Sequence, residues 1–179
     1  MHVAGVSLIP NVLAAEYPFA ANNKTICIIS SDLNSIKLDG SWNRGSTLAT
    51  LVENGMDEVS DNTNMNISKI TSLCDNRDYG SWLASGYAAK TIDPFGSGAN
   101  QYKNMKFSTN SAVNFVDYGT CRSHQGDNFE YVTNHEFGHF AGLDYDHNFP
   151  SAPTMNGASC TSSYATIKTN DINKINGWY

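Results

Sequence analysis

The sequence predicts an α+β protein, and three stretches carry that reading. Thr25 to Ser30, TICIIS, is a short β-branched run of the kind that forms a buried strand. From Ser46 to Ser60, Leu48, Leu51, Val52, Met56 and Val59 recur at three- and four-residue spacing, which marks one apolar face of a helix. Asn66 to Thr71, NISKIT, alternates and predicts a second strand, so the three make a strand-helix-strand unit with parallel strands.

The remaining elements follow in chain order. Gly55 falls inside the first helix and weakens it by about 1 kcal/mol relative to alanine, so tertiary packing must hold that helix. Trp82 to Ile92, WLASGYAAKTI, reads as a third strand, and DPFGSGANQ after it as a turn-rich loop broken by glycine and proline. Asn104 to Thr109 and Ala112 to Tyr118 read as two further strands. Gly126-Asp127-Asn128 supplies helix-start chemistry, and Phe129, Val132, His135, Glu136, His139 and Phe140 continue at helical spacing up to Gly142. A mostly loop stretch follows, until Thr169 or Asn170 caps a short last helix in which Ile172 and Ile175 turn inward. Trp42, Trp82 and Trp178 are expected in the core or against the sheet.

With 179 residues, 40% of them hydrophobic, the chain can bury a sizeable core without staples. Its 11 Lys and Arg against 17 Asp and Glu give a net charge of −6 and no basic stripe, which argues against nucleic acid and anionic membrane surfaces as partners. No apolar run approaches the ~20 residues of a transmembrane helix, so membrane insertion is not expected. Cys27, Cys74, Cys121 and Cys160 are widely spaced with no C-x-x-C pair, a pattern that fits two disulfides in a secreted protein. The parallel strand-helix-strand layout places Cys27 and Cys74 on or near neighbouring strands, which favours pairing them. Residues 1–16, with a Val12-Leu13-Ala14 triplet, read as an N-terminal arm or leader remnant.

The chemistry concentrates in HEFGHFAGLDYDH, residues 135–147. Residues four apart lie one turn above each other on a helix, so His135 and His139 can aim both imidazoles at one point. That is what a tetrahedral zinc needs from its first two ligands. Glu136 sits beside them, where its carboxylate can take a proton from a water that the metal has acidified toward a pKa of ~7, and pass it to a leaving amine. Gly142 stops the helix where the chain must turn beneath the metal, and Met155 follows in a turn-like setting, Pro153-Thr154-Met155-Asn156-Gly157. No Glu occurs after Glu136, which sets aside zinc peptidases that use a downstream glutamate as third ligand. His124, ahead of the helix, reads as a loop histidine.

HEFGHFAGLD, an APTM turn and a terminal TNDINKINGWY together resemble the metzincin clan of zinc metallopeptidases, most closely the catalytic domain of its matrixin branch, over residues 17–179. The resemblance implies a twisted five-stranded mixed sheet with two long helices, forming an upper lobe to about residue 142. It also implies a small lower lobe over residues 143–179, with a Met-turn and a C-terminal helix. Met155 would floor the metal site, and the segment from Asn156 through Gly157 to Tyr164 would wall the pocket for the side chain after the cut. Cys160 would reach Cys121, and an edge strand near Asn104 to Asn110 would bind an extended peptide by strand addition.

The family pattern puts the third ligand at the position of Tyr145, leaving Asp144, Tyr145, Asp146 and His147 as candidates. His147 is favoured, because a two-residue insertion after GLD restores the GLDH reading common in matrixins; Asp146 is the alternative, as in some small bacterial metzincins. Tyr145 would have to lose a proton of pKa ≈ 10. The expectation is therefore a secreted zinc endopeptidase, acting on protein or peptide substrates as a monomer, with one catalytic zinc and calcium compatible with its loops. A non-catalytic peptide-binding module on the same scaffold is the alternative.

Overall fold

The computed structural model describes residues 19, 21–40, 42, 47–74, 76–84, 87–95, 102–116, 127–143 and 166–179. The β-branched run forms strand β1, Asn23–Ile28, followed by the single turn α1, Ser30–Leu33. The amphipathic stretch forms α2, Leu48–Asn62, whose N-cap Thr47 accepts a hydrogen bond from the Thr50 N–H. Strands β2 (Asn66–Lys69), β3 (Asn76–Ser81), β4 (Ala89–Phe95) and β5 (Tyr102–Ser108) complete a five-stranded sheet in the order β2-β1-β3-β5-β4. The first four in that order run parallel, and β4 is antiparallel to β5. The class is thus α+β with a mixed sheet, as the sequence predicts. Short strands β6 (Phe115–Val116) and β7 (Asp127–Asn128) pair separately, and helices α3 (Phe129–Ala141) and α4 (Thr169–Asn176) follow.

Four sequence expectations are corrected. The strand expected over Trp82 to Ile92 begins only at Ala89, and Trp82 is 69% exposed rather than packed on the sheet. The strand that fills the place between β1 and β5 is NRDYGS, which carries no apolar alternation; its ladders come from its two neighbours. Of the strand expected over Ala112 to Tyr118, the described part is strand only at Phe115–Val116, outside the main sheet, and residues 117 and 118 lie outside the described residues. Most consequential for function, the Asn104 to Asn110 stretch lies in and just beyond β5, which is hydrogen-bonded on both sides. It is an inner strand and has no free edge for a peptide; β2 and β4 are the edges, and β4 is the one beside β5.

Cys27 and Cys74 form the expected disulfide, with Cα atoms 5.6 Å apart. Cys121 and Cys160 lie outside the described residues. Helix α2 packs on β1 and β2, α3 on β4 and β5, and the two helices pack on each other. Their contact explains Gly55, where a Cβ would sit 2.5 Å from the Thr133 methyl. The glycine lets α2 approach α3 closely, and this packing offsets its poor helix propensity. Phe129 anchors the start of α3 among Phe107, Phe115 and Trp42, with ring centroids at 5.0, 5.2 and 6.5 Å. Ile175 of α4 is fully buried, and Ile172 and Trp178 pack partly buried against the same core. No helix among the described residues is long and apolar enough to cross a membrane.

Candidate metal centre

Helix α3 is buried all round, every residue but Glu130 being withdrawn from solvent. Such a helix must have its ends satisfied internally, because water cannot reach the orphan groups. At the N-terminus the Asn128 side chain accepts from the Tyr131 N–H at 2.8 Å, the cap the sequence predicts. At the C-terminus Gly142 adopts φ 110°, ψ 0°, a left-handed conformation that a side chain would strain. The Gly142 N–H bonds the His139 carbonyl and the Leu143 N–H bonds the Gly138 carbonyl, at 3.0 and 2.9 Å, closing a Schellman motif. Two other groups reach the last turn. The buried Lys103 of β5 donates to the His139 and Phe140 carbonyls at 2.9 Å each, setting a positive charge at the negative end of the helix. The Tyr179 hydroxyl donates to the Ala141 carbonyl at 3.2 Å and accepts from the Phe19 N–H at 2.8 Å. Burial pushes that hydroxyl up to about 12, so it remains a donor at any physiological pH.

This fixed end orients the first histidine ring. The turn at Gly142 carries the Leu143 carbonyl back to the His139 Nδ1, 3.0 Å away. A carbonyl only accepts, so Nδ1 holds the proton and Nε2 keeps its lone pair. One turn earlier, His135 brings its own Nε2 to 3.0 Å from that of His139, with the rings nearly perpendicular at 89°. Two imidazole nitrogens at 2.0–2.1 Å from a tetrahedral zinc stand about 3.3 Å apart. The pair therefore fits zinc after a shift of a few tenths of an ångström, and imidazole is a ligand that suits zinc among other transition metals. Among the described residues no third His, Cys, Asp or Glu joins them. His147, Asp146, Asp144, Tyr145, Met155, Asn156, Gly157 and Tyr164 all lie outside the described residues, as does His124.

Glu136 is buried and points toward the edge strand. Its Oε2 lies 2.6 Å from the Thr91 Oγ1 of β4, and the same hydroxyl is 3.1 Å from the Glu136 main-chain carbonyl. Burial pushes the Glu136 carboxyl up to about 7, against the lowering effect of hydrogen bonds from the Thr91 side chain and main chain and of the Lys90 charge. An acid poised near neutrality suits a group that must both take and return a proton. Asp78, on the inner β3, is fully buried, and neither carboxyl oxygen has a hydrogen-bond partner among the described residues. Burial first, and the Glu136 charge second, hold it well above the usual carboxylate range.

Sequence reasoning named His135, Glu136 and His139 as candidates; all three lie in the middle and C-terminal turns of α3, with the two imidazoles together. It missed Thr91, Lys103 and Asp78. The sequence did hold a signal for Lys103, which falls in step with Met105 and Phe107 at the two-residue period of a strand's buried face. No protein-family model matches this chain, and no curated protein matches it.

Proposed function

We propose that the chain is a secreted zinc-dependent endopeptidase of the metzincin type, closest to the matrixins. The observation that carries this reading is the pair of buried Nε2 atoms 3.0 Å apart, with the His139 lone pair freed by the Leu143 carbonyl and Glu136 adjoining them in the sequence. His135 and His139 would hold the metal with one more ligand, His147 first and Asp146 second. Zinc, when bound, polarises a substrate carbonyl and lowers the pKa of water. Glu136 takes the proton from the attacking water and returns it to the departing amine. Lys103, Gly142 and Tyr179 keep the helix end from moving while this happens. The peptide is expected along β4, the edge strand, because Thr91 of that strand touches Glu136 and a chain added there passes the base. Secretion is supported by the Cys27–Cys74 disulfide, a bond that persists in oxidising compartments.

The test is zinc content after dialysis for wild type, His147→Ala and Asp146→Ala, with peptide hydrolysis by wild type and Glu136→Gln. One zinc in wild type, lost only with His147, together with turnover lost but zinc kept in Glu136→Gln, is the expected outcome. Loss with Asp146 alone assigns the ligand to the aspartate. A wild type that holds no zinc and still binds peptide makes the chain a binding module.

A further inference from the structure

The Thr91 hydroxyl has one proton to give and lies against two acceptors, the Glu136 Oε2 at 2.6 Å and the Glu136 carbonyl at 3.1 Å. One hydrogen serves one of them well. Both contacts become full hydrogen bonds when the carboxyl supplies a proton of its own, so that Oε2–H donates to Oγ1 and Oγ1–H donates to the carbonyl. A helix carbonyl has a second lone pair for this, beyond the one it uses in the helix ladder. When the carboxyl is ionised, the hydroxyl turns about its Cβ–Oγ1 bond and donates to Oε2 instead. The geometry needs no other movement, and Thr91 is 4% exposed, so water does not compete for these positions.

We infer that Thr91 is a positioning residue that holds the Glu136 side chain in one place in both of the states it passes through during peptide hydrolysis, an inference that rests on the peptidase reading above. In the first half of the reaction Glu136 gains a proton from water; in the second it gives that proton to the amine. A partner able only to donate, such as an ammonium, would leave the O–H of the acid form without an acceptor, and one able only to accept would repel the carboxylate. A hydroxyl does both, and no proton passes to or from Thr91 itself. The residue also belongs to β4, so it locks the base to the strand along which the substrate is proposed to lie.

The experiment compares wild type, Thr91→Val and Thr91→Ser in the zinc-loaded form, using a fluorogenic peptide that the wild type cleaves. Valine keeps the shape and removes the hydroxyl; serine keeps the hydroxyl and removes the methyl. Loss of a group that orients a metal-site residue costs about 10- to 100-fold in activity, and here the loss is expected in kcat with KM and zinc content unchanged, as for an interaction made in the transition state. Serine is expected to stay within a few-fold of wild type. Should the valine variant fail to fold, Thr91→Ala against Thr91→Ser reads the hydroxyl alone. An active wild type with an equally active valine or alanine variant overturns the inference and leaves the peptidase reading standing. A zinc-loaded wild type that cleaves no peptide removes both.

Discussion

Replacing Gly55 with alanine tests whether the close crossing of α2 and α3 decides the stability of the fold. In an isolated helix the change is favourable by about 1 kcal/mol. In this protein the new Cβ would lie 2.5 Å from the Thr133 Cγ2, 3.0 Å from the Asn134 Oδ1 and 3.1 Å from the Phe137 Cδ2. Carbon atoms rest at about 3.5–4.0 Å, so the methyl contact alone calls for a displacement of about 1 Å. Thr133 cannot swing aside freely, because it is buried and its hydroxyl donates to the Phe129 carbonyl at 2.8 Å. Overpacking of this kind costs about 1–3 kcal/mol, and breaking the Thr133 bond about 1 kcal/mol more. After the gain in propensity, a net loss of about 1–3 kcal/mol is expected, read from urea denaturation at unchanged m-value. Thr133→Ser removes the offending methyl, so in that background alanine at 55 is expected to cost at least about 1 kcal/mol less. Gly55→Ala as stable as wild type, or an equal cost in both backgrounds, would refute the reasoning. Because Asn134 adjoins His135, the same shift is expected to weaken retention of the proposed zinc.

Two further outcomes are expected. Lys103→Met keeps the length of the side chain and removes the ammonium from the His139 and Phe140 carbonyls; the His139 carbonyl keeps the Gly142 N–H, and the buried Phe140 carbonyl must find a new partner. A loss of about 2–3 kcal/mol in urea denaturation is expected, and an unchanged midpoint would mean the helix end is held without it. In metal-free protein, Glu136 binds a proton to about 7 when folded and to 4.5 otherwise, so the folded state holds the extra proton between those values. Stability from this group therefore falls as pH rises through that window, by up to about 3 kcal/mol. Glu136→Gln lacks the effect, and stability curves of wild type and variant that run parallel from pH 4.5 to 7.5 would contradict it.

The strand-helix-strand start was legible because apolar residues declare it: TICIIS is a continuous run with Ile26, Cys27 and Ile28 all buried, the face Leu48 to Val59 follows the helical period, and Ile67 of NISKIT is the buried residue of β2. Helix α3 was legible for a different reason, since Asn128 and Gly142 mark its ends. What escaped was decided by neighbours. β3 consists of polar residues that pair because β1 and β5 flank them, a tertiary effect with no local trace. The place of β5 inside the sheet follows from β4 folding back antiparallel against it, and connection order alone does not declare that.

The residues that escaped share one property: each is polar and faces inward from a strand. Asn76 and Asp78 lie on β3, Thr91 on β4 and Lys103 on β5, all buried. Three of them engage one another or α3. The Asn76 Oδ1 accepts from the Lys103 N–H at 2.7 Å, Lys103 caps the helix, and Thr91 grips Glu136. A sheet selected only for stability would place aliphatic side chains there, since a buried polar group gains little over the apolar alternative even when it is fully bonded. Such a row, beside the one helix that carries an HExxH motif, fits the proposed peptidase, in which it would position the reacting groups at some cost in stability. The proposed metal ligands declare themselves by spacing in the sequence, whereas the buried polar groups that meet their helix come from strands distant in sequence and are joined only by the fold.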